Sequence, residues 1–137
     1  MFILDTNVVS ELRRPEKANA NVVKWASARA HASFFLSSMT IMEIEIGILL
    51  AERRDAAQGA ILRAWLETFI MPDFAGRILV FDAAVAQCCA RLHVPNPKSE
   101  RDTLIAATAL VHGMTVVTRN VADFEATGVQ TINPWNM

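Results

Sequence analysis

The chain has no run of apolar residues long enough to cross a bilayer. Its longest apolar stretches are broken by Glu45 or by threonines, well short of the ~20 residues a span needs. Met1 is followed by only three apolar residues before Asp5, so no secretory signal is expected. Cysteine is scarce: there are two, Cys88 and Cys89, and they are adjacent. Neighbours on a helix point about 100° apart, which disfavours a bridge, and no cysteine spacing suits a metal. The expectation is a reduced, cytoplasmic chain with both thiols packed in a helix. An excess of one charge is missing too. With 13 basic against 14 acidic residues, disorder and a polybasic nucleic-acid wrapper are both disfavoured. There is no internal repeat, low-complexity tract, linker, RNP-type aromatic motif or zinc knuckle.

What is abundant is apolar character. It stands at 53% before glycine is counted, where ~45–50% including glycine is usual, and mean hydropathy is +0.27. A chain of 137 residues reads as one domain, 1–137, with limited interior. Part of the apolar surface is therefore expected to meet a second copy or an obligate partner.

Short apolar runs alternate with helical patterns. Phe2 to Leu4, Phe34 to Leu36, Ile78 to Phe81, Met114 to Thr118 and Val129 to Ile132 read as strands. Helices are expected from Asn21 as cap, from Thr40 with Ile41, Ile44 and Ile48, and along Ile61, Leu62, Trp65, Leu66, Phe69 and Ile70 until Pro72. Asp82 caps another helix. A further one runs from about Arg101 to His112 and stops at Gly113, and a short turn follows Asn120. The pattern predicts a three-layer α/β domain with a parallel sheet of four to five strands flanked by helices. The small residues of Leu104 to Ala109 let one helix sit close to the sheet.

Ligands of such folds bind beyond the carboxyl ends of the strands. Asp5 ends the first strand, Glu43 is placed in the first turn after the second, and Asp123 in the first turn after the fourth. Asp102 opens the helix before the fourth strand. Thr40-x-x-Glu43, Ser99-x-x-Asp102 and Asn120-x-x-Asp123 each fit a capping box or a close relative of it, so each acid alone is explained as a cap. Asp5 closes a strand, where capping is a weaker account and an Asx turn stays open. Together the four repel. Two carboxylates ~4 Å apart cost about 4 kcal/mol at an effective dielectric near 20, which calls for protons or a cation. Oxygen-only ligands suit Mg²⁺ or Mn²⁺, and such an ion serves phosphate chemistry.

These residues resemble the PIN-domain ribonucleases, and within them the VapC- and FitB-type toxins of bacterial toxin–antitoxin pairs. The carriers are Asp5–Glu11 (DTNVVSE), Thr40–Gly47 (TIMEIEIG), Asp102–Ala109 (DTLIAATA), Thr118–Phe124 (TRNVADF) and the terminal Ile132–Trp135 (INPW). The resemblance spans nearly the whole chain. It implies a PIN-like, Rossmann-like fold and a Mg²⁺- or Mn²⁺-dependent endoribonuclease, a hydrolase that leaves a 3′-hydroxyl and a 5′-phosphate. Carried over, Asp5 and Asp102 are metal ligands, Glu43 and Asp123 complete the catalytic set, and Asn7 and Thr118 support it. Asn120 stands where some members carry further polar groups. The implied partners are RNA, a second copy of the chain, and a small VapB- or FitA-like antitoxin laying an apolar helix over the site. Operator DNA is met only through that antitoxin. Its groove is expected between Asn21–Ala30 and Ile61–Met71.

The neighbouring residues sort by geometry. Glu45 lies about 200° around the helix from Glu43, and Glu100 likewise from Asp102, so both read as surface acids. Glu11 reads as an ion-pair partner of Arg14 or a lysine. Arginines outnumber lysines ten to three, and Arg13, Arg14, Arg101 and Arg119 flank the acidic motifs as candidates for positioning RNA. Arg53 and Arg54 read as surface. The histidines, His31, His93 and His112, show no pairing that would support metal-free catalysis. Trp25, Trp65 and Trp135 read as core or interface. Two other functions stay open: a non-catalytic interaction subunit whose acids are only caps, and a phosphatase with Asp5 as nucleophile, although its usual second acid is replaced by Asn7.

Overall fold

The structure is a computed structural model that describes residues 1–137. Five strands form one sheet: β1 (Phe2–Leu4), β2 (Phe34–Ser37), β3 (Ile78–Leu79), β4 (Thr115–Val117) and β5 (Thr131–Ile132). Their order is β3-β2-β1-β4-β5 and every pairing is parallel. All five carboxyl ends therefore share one edge, and β1, flanked on both sides, sits at its centre. Parallel strands need crossovers, which here are helices on both faces.

Seven helices make those crossovers: α1 (Thr6–Leu12), α2 (Ala20–Ser27), α3 (Ser38–Arg54), α4 (Ala56–Trp65), α5 (Met71–Asp73), α6 (Ala83–Leu92) and α7 (Glu100–His112). Strand residues alternate between the two layers. Leu4, Leu36 and Val117 face a core completed by Val8, Trp25, Ile44, Ile48, Leu66 and Ile70. Ile3 and Val116 face a second core with Ile105, Ala106, Ala109 and Phe124. Ala106 and Ala109 are fully buried with Ile3 and Val116, so that face of α7 does lie against the sheet. Cys88 and Cys89 are free and buried in α6, beside Ala107.

Several boundaries differ from expectation, each for a local reason. The cap of α2 is Asn19, whose side chain accepts from the Asn21 and Val22 amides, and Asn21 instead donates to the Trp135 carbonyl at 3.0 Å. The cap of α3 is Ser37, which accepts from the Thr40 amide at 3.1 Å. The helix thus starts earlier, and Glu43 lies in its second turn rather than its first. The expected stripe from Ile61 begins at Ala56 and widens to a π-helix over Leu66–Ile70. Pro72 falls inside α5 instead of stopping the helix. The wider turn accommodates the ring and the missing N–H of the proline. Strands β3 and β5 hold two residues each, leaving Val80 and Phe81 exposed. Asp82 caps α6 through the Val85 amide, and Gly113 ends α7 at φ 67°, both as the sequence predicts.

Helices α3 and α4 form a close hairpin. Gly59 packs so tightly that a Cβ there would lie 2.6 Å from Cγ of Glu52. Arg63 of α4 reaches Glu45 at 2.6 Å and Glu52 at 3.1 Å, which fastens the two helices and turns Glu45 away from Glu43. No helix is long and apolar enough to cross a membrane.

Candidate active site

Asp5 follows β1 directly and is the N-cap of α1, its Oδ1 accepting from the Thr6 amide at 2.8 Å. Capping therefore explains Asp5 better than its place after a strand suggests. Its other oxygen has a different role. Register pairs Leu4 with Val117, so the residues just beyond them, Asp5 and Thr118, come side by side. The Thr118 hydroxyl donates to Asp5 Oδ2 at 2.8 Å, and Asn7 Nδ2 donates to the same oxygen at 3.3 Å. Thr118 also accepts from the Asn120 amide at 3.0 Å, and Asn7 Oδ1 from the Arg119 amide at 3.3 Å. Asp5 is only 7% exposed. Burial pushes its pKa up, against the pull of Thr118 and the Thr6 amide, and the charges of Glu43 and Asp102 push the same way.

Glu43 leans across from α3. Its Oε1 accepts from the Thr6 hydroxyl at 2.8 Å, and Arg101 Nη1 lies 3.6 Å from Oε2. Asp102, in the first turn of α7, is half-buried. Burial raises its pKa first, then Asp123; the Ser99 hydroxyl draws it down, and Glu43 adds a final push upward. Asp123 is exposed on the 3₁₀ turn Val121–Thr127 after β4. The four acids thus converge at one edge, and Asp102 feels both Glu43 and Asp123. Among them only Glu43 has a cation in ion-pair range, Arg101.

A divalent ion suits this donor set in part. The donors are carboxylate oxygens, which suit Mg²⁺ or Mn²⁺, and the negative charge is undercompensated. No three acidic, cysteine or histidine side chains are spaced to hold one ion together. One or two carboxylates completed by water is the ordinary Mg²⁺ pattern, and that is what the arrangement can provide.

The remaining candidates separate. Arg13 lines a cleft of about 180 Å³ with Thr6, Glu43, Ile44, Leu62 and Trp65. Arg14 lies farther out, beside Ser10 and Lys17, and does not line that cleft. The Arg119 guanidinium lies 5.4 Å over the Trp135 ring. Glu11 makes no ion pair; its carboxylate accepts from the Asn19 amide at 2.6 Å. Glu100 is exposed in the first turn of α7. His31 does have an acidic partner, Asp73 at 2.5 Å, but it precedes β2 and so lies at the opposite sheet edge from the acids. Trp25 is core, stacked on Phe34. The cleft beside Glu43 is walled by α1, α3 and α4. Helix α2, expected as a wall, packs instead against the C-terminal turn Pro134–Asn136. Sequence reasoning missed Thr6, the donor to Glu43. A hydroxyl directly after the strand-ending acid was the signal available for Thr6.

A sequence profile of the PIN domain matches residues 2–129. The VapC ribonuclease Y4jK of Sinorhizobium fredii is 38% identical, over 98% of each chain. The toxin FitB of Neisseria gonorrhoeae is 38% identical over 99% of each. The crystal structure of FitAcB from the same organism superposes with a TM-score of 0.91 at 37% identity, covering both chains fully. By sequence over nearly its full length, and by the parallel five-stranded sheet that gathers its acids, this chain belongs to the PIN domain family.

Proposed function

We propose that the protein is the toxin of a toxin–antitoxin pair and a divalent-metal-dependent endoribonuclease. The observation that carries this reading is the convergence of Asp5, Glu43, Asp102 and Asp123 at one sheet edge, with Asp5 buried and fixed by three donors. The names of the two relatives, a VapC ribonuclease and a toxin, support it. Asp5 and Asp102 would hold Mg²⁺ or Mn²⁺, which would supply a water of lowered pKa and offset phosphate charge. Thr118, Asn7 and the Thr6 amide hold the Asp5 carboxylate in one orientation. Thr6 does the same for Glu43, which with Asp123 accepts protons at the attacking side. Arg13 and Arg101 lie beside Glu43 and oppose the phosphates, while Arg119 is drawn over Trp135. Hydrolysis would add water to the phosphorus and break its bond to O3′, giving a 3′-hydroxyl and a 5′-phosphate.

The partners follow from the surface. The cleft of Ile44, Ile48, Leu62 and Trp65 opens beside Glu43, so an apolar antitoxin segment seated there obstructs the site. A second apolar hollow of about 190 Å³, lined by Met39, Met42, Phe81 and Leu104, is flanked by exposed Val80 and assigned to a second copy of the chain. DNA is met only through the antitoxin, consistent with a net charge of −1.

The test is partner-free protein incubated with total bacterial RNA, with Mg²⁺, with Mn²⁺ and with EDTA, alongside Asp5→Asn. Discrete cuts that need both metal and Asp5 are expected. Cleavage that survives Asp5→Asn rejects the assignment. A phosphatase with Asp5 as nucleophile is disfavoured, because Asn7 stands where such an enzyme carries its second acid.

A further inference from the structure

Residues 13–29 hold five basic side chains, Arg13, Arg14, Lys17, Lys24 and Arg29, against one acid, Glu16. The rest of the chain is correspondingly acidic, since the total is −1. None of these five cations forms an ion pair; the protein's ion pairs belong to His31, Arg63 and Arg101. Unpaired charge so concentrated in a short segment repels itself, and of the five only Arg29 is tied into the fold, over Phe2 and Trp25.

The fold strings these cations outward from the acids. Arg13 lines the cleft that contains Glu43. It also lines a neighbouring hollow of about 140 Å³ with Arg14, Lys17, Ser10 and Glu11, and that wall has no apolar residue. Glu11, the acid there, is occupied by the Asn19 amide that begins α2, so the hollow adjoins that helix. Along α2, Lys24 and Arg29 line a third hollow of about 300 Å³ with Asn21 and Trp25. Arg29 is held in place, its guanidinium 4.5 Å over the Trp25 ring and bonded to the Trp25 carbonyl at 2.9 Å.

We propose that this flank, from Arg13 along α2 to Arg29, is the path of a single-stranded RNA leading away from the acidic centre. The proposal rests on the nuclease reading above. Spaced unpaired cations suit successive phosphates, and a groove that tracks a strand is how such RNA is held without sequence choice. A protein partner needs an apolar core to its interface, and the middle hollow has none.

The experiment pairs Lys17→Gln with Lys24→Gln in one variant. Both residues are free of side-chain hydrogen bonds and ion pairs, and Arg29 is left intact. A labelled RNA of about a dozen nucleotides is titrated in EDTA by fluorescence anisotropy at several salt concentrations. Each lost phosphate contact flattens the log–log salt slope by ~0.7 for a single strand, so the double variant is expected to be less steep by about 1.4. Across a fourfold rise in salt, that narrows the affinity gap to the parent protein about sevenfold. The Lys17→Arg, Lys24→Arg pair restores the parent slope. An unchanged slope in a protein that still cleaves RNA overturns this proposal alone. An unchanged slope together with weakened binding of the antitoxin assigns the flank to protein and likewise overturns it. A parent protein that neither binds nor cleaves RNA overturns the nuclease reading, and this proposal with it.

Discussion

Replacing Thr118 by valine removes one oxygen and leaves the volume almost unchanged. That oxygen is fully buried, donates to Asp5 at 2.8 Å and accepts from the Asn120 amide at 3.0 Å. A hydrogen bond to a charged group contributes about 1.5–3 kcal/mol, and the orphaned amide adds ~1 kcal/mol. The expected loss is about 3 kcal/mol, which for a domain of this size lowers Tm by roughly 10 °C. Thr118→Ser keeps the hydroxyl and gives up one methyl, costing ~1 kcal/mol. The difference between the two variants has a pH signature. The hydroxyl serves the ionised form of Asp5, and without it the already raised pKa of Asp5 rises further. Valine's penalty is therefore largest at neutral pH and shrinks as pH falls and Asp5 takes its proton. Urea unfolding of the parent and both variants, in EDTA at neutral and at acid pH, measures this. A valine variant as stable as the serine variant, or a penalty that does not change with pH, refutes the reasoning.

Asp5 and Asp102 both have raised pKa values, so their contribution to metal-free stability is full below the ordinary carboxylate range and is lost as pH rises through their folded values. Added Mn²⁺ is expected to reverse that loss, with about 2.7 kcal/mol of stabilisation at a hundredfold excess over its Kd near neutrality and less at pH 5. Thermal melts with and without metal check this, and Asp5→Asn combined with Asp102→Asn should abolish the increment. Ser37→Ala removes the cap of α3 and should cost about 1 kcal/mol in urea unfolding. Gly59→Ala drives a methyl to within 2.7 Å of the Glu52 Cα, and parting the α3–α4 hairpin should cost about 1–3 kcal/mol, read by the same titration.

The acids show how far local pattern carries. Each was visible because it follows an apolar strand or opens a helix, and strand-then-helix alternation is a short-range signal. The caps at Asp82 and Gly113 were legible for the same reason, since a cap depends on its own few neighbours. The start of α3 was not, because Ser37 and Thr40 are both acceptable caps and only the end of β2 selects between them. The course of the chain at Pro72 also escaped, since a single π turn ahead of a proline leaves no mark in propensity or periodicity.

The sequence alone determined the alternation that makes a parallel sheet and which carboxylates sit near the ends of strands and helices. Those are properties of neighbours in the chain, where propensity and periodicity act directly. Tertiary structure decided what those groups meet. The register of β1 against β4 set Thr118 beside Asp5, 113 residues away in sequence. The crossing of α3 over α1 set Thr6 beside Glu43, and the placement of α7 brought Arg101 to the same carboxylate. Burial, which raises the pKa of Asp5 and Asp102, depends on every layer that closes over them, and no local stretch of sequence specifies it.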